Sequence, residues 1–441
     1  MVEIEEIRNQ ILILKKNFFL KLEKFKYKTE KSSLLTFRYL IFSTNNNFGK
    51  KNIYQEIKYI NFKEQLKNYF FLRKFSTIKF YGEKNIKNFK KFKKIYFSWS
   101  SLQNFDSKGN YTDPYFKITN QKKNVLWILI NSGEKIPKKI QDNIIIINPE
   151  NEGVLFGFFK IFQYFFSLLV SHKFNFYEII NYISYDSFLA NKVELFFQKN
   201  KIFKKIKKLD IPLESQVFQN SIIKMAKKEK VYVTGFDHTL NPFPFYNMYN
   251  KLSPSILNVH SDCSKKFYEK YLGWPKNKII KNSSVRIERR KKKFFNNKIF
   301  LPISINNPEF VLKKIDYIFD NYLAKENLGP FKVCLHPATI GEKKYKNLYE
   351  RLSNLQKKYS KKSKKKNQKS ISLHIGNLST VLEALESGSE VYHLTLSKAF
   401  DLLSPKFWYS LDSTEIEEDI FRYKLKKFGH CVAFKKRGKY L

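Results

Sequence analysis

The feature that most constrains this chain is a regular alternation, from residue 93 to residue 396, of short apolar runs with helix-like stretches. KKIYFSW (93–99), NVLWILIN (124–131) and NIIIINP (143–149) are rich in apolar, strand-forming residues and bounded by turn residues. KVYVTGF (230–236), SILNVHS (255–261), KIFLPIS (298–304), FKVCLHP (331–337), SISLHIGN (370–377) and SEVYHLTL (389–396) continue the series. Helical spacing fills much of the chain between them, over roughly 215–229, 262–272, 308–325, 342–359 and 379–387. Strands that alternate with helices predict parallel sheets covered on both faces, and so an α/β fold.

A chain of 441 residues is too long for one ordinary core, which points to two domains. Hydrophobic residues make up 43%, with 44 Phe and 27 Tyr, enough for two cores and too many for a disordered chain. The basic break RIERRKKKFFNN (286–297) divides the alternating series in two. The expected organisation is a first domain over 1–295, a second over 296–425, and a basic tail, 426–441, that packs back on the first. The opening segment, MVEIEEIRNQILILKKNFFLKLEKF, has the spacing of an amphipathic helix and lacks the cleavage pattern of a signal peptide. KKYSKKSKKKNQK (357–369) lies between a helix and a strand and reads as a solvated loop.

The formal charge of +44, from 83 basic and 39 acidic residues, favours an anionic partner such as a phosphorylated substrate, a phospholipid surface or nucleic acid. Part of that excess belongs to a Lys-, Asn- and Ile-rich composition of the kind an AT-rich genome imposes. Nucleic acid is not the expected partner, because no aromatic–basic recognition motif, zinc spacing or recognition helix stands out. Cys263, Cys334 and Cys431 are far apart in sequence and make no metal spacing, so they read as reduced thiols of a cytoplasmic protein. VLFGFFKIFQYFFSLLVSH (154–172) is interrupted by Lys160 and Gln163 and is short for a span. It reads as a buried or interfacial helix, the latter giving peripheral contact with a membrane.

Ligands of parallel sheets bind outside the carboxyl ends of the strands, so residues just after a strand are the candidates. His336 precedes Pro337, which holds it in an extended backbone at a strand end. Its imidazole can meet a phosphate or cap local carbonyls. In HIGNLSTVLEALESG (374–388) a strand runs through Gly376 and Asn377 into a helix that starts at Ser379 and Thr380. Such a start can receive a phosphate, and Thr380 with Glu383 also fits a capping box, with Gly388 ending the helix. Glu214 stands after a short apolar stretch and before a helix, as a proton acceptor or as an acid favouring the helix N-terminus. VTGFDHTLNPFPFYNMY (233–249) leaves its strand for a Pro-punctuated loop carrying Asp237 and His238. Glu214 and His238 are expected on neighbouring strand ends of the first domain, and His336 and Ser379/Thr380 on neighbouring strand ends of the second.

With these residues in place, the chain resembles a family of bacterial surface-carbohydrate biosynthesis proteins that look like two-domain glycosyltransferases. The segments that carry the resemblance are YFSWSSLQNFDSKGNYTDPYF (96–116), LDIPLESQVFQNSIIKMAKK (209–228), VYVTGFDHTLNPFPFYNMY (231–249), LSPSILNVHSDCSKKFYEKYLGWP (252–275), LHPATIG (335–341) and GNLSTVLEALESG (376–388). The match covers about residues 90–400, in order. It implies a GT-B arrangement, two Rossmann-like domains facing a cleft. More distantly, the chain is similar to bacterial sialyltransferases and to CDP-glycerol polymerases of teichoic acid synthesis. That similarity implies His336, Ser379 and Thr380 as ligands of the donor phosphate; Gly376 and Asn377, at the same strand-to-helix turn, are further candidates for the phosphate, and Glu383 is a candidate contact to the nucleotide. The similarity also makes Glu214 the base, and His238, on the neighbouring strand end, is a second catalytic candidate. The acidic motif here is Leu-Glu-Ser-Gln rather than acidic-acidic-Gly, and the second motif reads Ser-Thr rather than Ser-Ser.

The expected activity is transfer of a sugar from a nucleotide-activated donor, a CMP-sugar by preference, to a surface glycan or lipid-linked acceptor. The alternatives are a CDP-glycerol-type polyol-phosphate transferase and a non-catalytic or nucleic-acid-binding basic protein. No cofactor is expected, and because no Asp-x-Asp metal motif stands at a strand end, transfer is expected to be metal-independent, with a helix N-terminus and basic groups in place of a divalent ion.

Overall fold

The computed structural model describes residues 2–24, 75–86, 89–122, 124–131, 135–154, 185–214, 217–238, 240–244, 247–284, 294–302, 305, 307–323, 331–336, 346–360 and 370–432. The apolar stretch 154–172 beyond its first residue, most of the basic break 286–297, Pro337, the Lys-rich run beyond 360 and the tail beyond 432 lie outside the described residues. Among the described residues no helix is long and apolar enough to cross a membrane.

The architecture is mixed α/β, with two largely parallel sheets. The first sheet holds β1 (Phe75–Tyr81), β2 (Lys94–Ser100), β3 (Val125–Asn131), β4 (Ile144–Val154), β5 (Lys208–Leu213), β6 (Tyr232–Asp237), β7 (Ile256–Val259) and β8 (Ile279–Lys281). They lie in the order β1-β4-β3-β2-β5-β6-β7-β8, and every pair except β1–β4 is parallel. The chain moves outward from β2 through β3 to β4, then returns to place β5 beside β2. That return makes a topological switch point between β2 and β5. All seven residues of β3 are buried, which is why VLWILIN sits inside the sheet. Helices α1 (Val2–Lys24), α2 (Tyr185–Lys199), α3 (Val217–Lys228) and α4 (Asp262–Tyr271) accompany this part of the chain.

The second sheet holds β9 (Lys298–Phe300), β10 (Lys332–Cys334), β11 (Ile371–Ile375), β12 (Glu390–Leu394), β13 (Leu411–Glu417) and β14 (Ile420–Leu425), in the order β10-β9-β11-β12-β14-β13. The first four strands in that order are parallel, and β14 and β13 close the sheet as an antiparallel hairpin. Its helices are α5 (Pro308–Ile318), α6 (Lys346–Ser360), α7 (Thr380–Glu386) and α8 (Lys398–Asp401). Asn307 caps α5 by accepting from Phe310 N, and Pro308 starts the first turn, where its missing N–H costs nothing. Gly388, at φ 87°, takes the left-handed position after α7. Ser389 N donates to Ala384 O at 3.0 Å and Gly388 N to Leu385 O at 2.9 Å, a Schellman ending.

The two sheets are joined by packing as well as by chain. Phe407 packs edge-on to Phe267 (4.8 Å between centroids) and Tyr271 (4.9 Å), and Trp408 Nε1 donates to Pro242 O at 2.9 Å. The segment after β12 therefore lies against the loop after β6. Residues 429–432 return to the first sheet, where Cys263 N donates to His430 O at 3.2 Å.

His374 on β11 and His393 on β12 are register partners, and both are fully buried. His393 Nε2 donates to Gly376 O at 2.8 Å, while His374 lies 3.0 Å from Thr380 Oγ1 and 3.1 Å from Ser372 Oγ. Burial holds both rings below the ordinary histidine value, His393 at about 4. The fold thus favours neutral rings. Their contribution is complete above pH 6.5 and is lost as pH falls from 6.5 toward 4. His393→Gln keeps a donor for Gly376 and does not titrate. Below pH 6.5 the urea midpoint of the native protein should fall faster than that of the variant, and parallel profiles would refute a buried neutral His393.

Candidate active site

The carboxyl ends of β2, β5 and β6 meet at the switch point of the first sheet, where open α/β sheets hold their ligands. Leu213, the last residue of β5, is in register with Asp237, the last of β6, so Glu214 and His238 leave the sheet side by side. His238 Nε2 lies 3.2 Å from Glu214 Oε1, with side chains 16% and 22% exposed. The pair is thus sheltered but open to a ligand. Glu214 is fixed from behind: its N–H donates to Gln219 Oε1 at 2.8 Å, and Gln219 Nε2 donates to Pro212 O at 2.6 Å. The first turn of α3 thereby ties down the residue before it.

The imidazole is held by two aromatic rings. Trp99, near the end of β2, lies 4.7 Å from it between centroids, and Tyr115 stacks on it at 5.1 Å. Tyr115 stands in a turn built on Asp113. That buried carboxylate accepts from Tyr115 N at 2.8 Å, from Phe116 N, and from Tyr111 OH at 2.7 Å. Burial pushes the Asp113 carboxyl up despite these bonds. The stretch 96–116 thus supplies both rings that flank His238.

Asp237 points the other way and is buried. Tyr268 OH donates to its Oδ1 at 2.8 Å, and Tyr115 OH donates to its backbone oxygen at 2.9 Å. Asn247 Nδ2 reaches Tyr268 OH at 3.0 Å and Leu213 O at 3.1 Å, which closes a network across the ends of β5 and β6. Burial pushes the Asp237 carboxyl up to about 8, and the neighbouring Glu214 acts in the same direction. A carboxyl held neutral at pH 7 beside a carboxylate–imidazole pair is an arrangement suited to moving protons.

At the second sheet, His336 follows β10 and is half-buried. Gly376 follows β11 with φ 66°, and a side chain there would crowd Leu396 at 3.0 Å. Its N–H donates to Leu394 O at 2.8 Å. Asn377 Nδ2 donates to Phe400 O at 3.4 Å, and half-buried Glu383 lies on α7. All of these lie at the carboxyl ends of the sheet. His336 and Ser379/Thr380 are not on neighbouring strands, however, because β9 runs between β10 and β11. The expected capping box is also absent as drawn. Ser379 holds the cap position with no side-chain cap bond, and the Thr380 hydroxyl lies against His374. A histidine buried on the strand before the helix takes the hydroxyl that a capping box would use.

Sequence reasoning missed the roles of Asp237, Trp99, Tyr115 and Tyr268. The sequence places Asp237 in a loop, whereas it ends β6 with its side chain inside. The adjacency of Asp and His in GFDH was the available signal. Among the described residues no group of three or more His, Cys, Asp or Glu side chains is placed to hold a metal ion. No protein-family model and no curated protein matches the chain.

Proposed function

We propose that this chain is a glycosyltransferase of the GT-B type, moving a sugar from a nucleotide-activated donor, a CMP-sugar by preference, to a glycan or lipid-linked acceptor. The observation that carries the reading is the Glu214–His238 contact at the switch point of the first sheet, with Asp237 buried behind it. In this reading His238 donates to Glu214 and holds its carboxylate toward the acceptor. Glu214 takes the proton of the acceptor hydroxyl as its oxygen bonds to the anomeric carbon. The bond from that carbon to the donor phosphate breaks, and the nucleotide leaves with the electron pair. His336 and the backbone around Gly376 and Ser379 meet the charge that develops on the leaving phosphate. The packing of Trp408 and Phe407 on the loop after β6 supports a shared cleft, because it brings the segments beyond β6 and β12 together.

The test is a thermal-shift panel of CMP, CDP, UDP, GDP, their sugars and CDP-glycerol, followed by product analysis with the stabilising donor. A ligand that binds only the folded state raises the melting temperature. Glu214→Gln should keep the nucleotide shift and lower turnover by about 100-fold or more. Full activity in that variant would remove Glu214 from the base role. A shift with CDP-glycerol alone would replace sugar transfer by polyol-phosphate transfer, and no shift with any nucleotide would overturn the proposal.

A further inference from the structure

Two of the cysteines that are far apart in sequence meet in the fold. Cys263 is the second residue of α4, beside the first sheet, and Cys431 lies beyond β14 of the second. Both are reduced and buried. Their main chains run side by side, because Cys263 N donates to His430 O at 3.2 Å. That bond sets Cys263 beside the peptide that joins His430 to Cys431. The two thiols are within hydrogen-bonding reach of each other, and Ser410 Oγ lies 3.5 Å from Cys431 Sγ.

The segment that carries Cys431 is pinned in place. The buried Glu386 carboxylate accepts from Gly429 N at 2.6 Å, Cys431 N at 2.7 Å and Val432 N at 3.1 Å. Glu386 belongs to α7 of the second sheet, whereas Cys263 belongs to the first. A covalent bond between the two sulfurs would therefore tie the first sheet to the last described segment of the chain.

We propose that Cys263 and Cys431 form a reversible disulfide that links the two halves of the protein. The two thiols are unlike. The hydrogen bond from Cys431 holds the Cys263 thiol below its ordinary value against burial, aided by bonds with Ser410 and the Tyr409 backbone, while the same bond and burial push Cys431 up. Cys263 is then the attacking thiolate, toward a small disulfide such as oxidised glutathione that reaches it when the segment 429–432 opens. It bonds to one glutathione sulfur and releases the other glutathione as a thiol. Cys431 loses its proton, attacks the Cys263 sulfur of the mixed disulfide and releases the second glutathione. Two protein thiols are oxidised and one small disulfide is reduced to two thiols.

The experiment uses the purified full chain incubated with oxidised glutathione. Intact mass should fall by two hydrogen atoms, and peptide mapping should show Cys263 joined to Cys431 with Cys334 still alkylated. The melting temperature should rise by about 5 °C or more, because the link closes a long loop of the unfolded chain. Dithiothreitol should reverse both changes. Cys334→Ser should keep the response, and Cys431→Ala and Cys263→Ala should each abolish it. The proposal is overturned if both cysteines stay alkylatable in the folded oxidised sample, if glutathione adducts accumulate in place of the link, or if the link forms through Cys334.

Discussion

Replacing Arg8 by alanine is expected to destabilise the fold by about 3–5 kcal/mol. Arg8 lies on α1 with a side chain removed from water, 0% exposed. Its guanidinium donates through Nε to Ala399 O at 2.7 Å and through Nη2 to Leu402 O at 2.6 Å, and it pairs with Glu5 at 3.2 Å. It also lies over the rings of Phe243 and Phe407, at 5.1 and 5.4 Å. One side chain thus joins the first helix, the loop after β6 and the segment after β12. Burial lowers the guanidinium to about 10, with Glu5 opposing, so it stays charged at neutral pH. Truncation leaves two buried carbonyls without this donor and opens a cavity between the rings. Arg8→Lys keeps the charge but cannot serve both carbonyls with one planar fork, and should recover only part of the loss. Urea unfolding of the three proteins checks this. A loss under 1 kcal/mol for alanine would show that α1 is not held through this contact.

Arg8 also shows why part of the fold could not be read from sequence. Its partners are backbone carbonyls some 390 positions away, and a carbonyl carries no residue-type signal. The parallel strands were legible where burial covers both faces, as in the apolar run of β3. β5 read only as a short apolar stretch because KLDIPL contains Asp210 and Pro212. In the fold, Lys94 at 2.6 Å and Lys208 at 3.4 Å neutralise that acid. The hairpin of β13 and β14 was missed for the opposite reason, since LDSTEIE faces solvent at the sheet edge and lacks an apolar run. The site divides the same way. His238 follows a strand the sequence marks and Glu214 follows the short apolar stretch that becomes β5, and their placement on neighbouring strand ends was legible from those two positions. The order β10-β9-β11, which separates His336 from Ser379, depends on which strand enters between which, and local spacing does not encode that.

Replacing Asp237 by asparagine is expected to stabilise the protein, and more so as pH rises. The folded state holds this carboxyl protonated up to about pH 8, whereas an ordinary aspartate has a value of 3.8. Between those values the folded chain binds a proton that the unfolded chain has released. Its contribution is therefore complete below pH 4 and is lost as pH rises toward 8, by about 1.4 kcal/mol per pH unit. Asparagine stays neutral, can still accept from Tyr268 OH and escapes that slope. Its advantage should be small near pH 5 and reach several kcal/mol near pH 8. The buried histidines titrate in both proteins, so they cancel in the difference between them. Denaturant midpoints at pH 5, 6.5 and 8 give the comparison, and two parallel profiles would show that Asp237 is ionised in the fold. A buried acid that costs stability as pH rises, one residue from His238, is consistent with the proposed active site, because proton chemistry and stability make opposite demands on such a group.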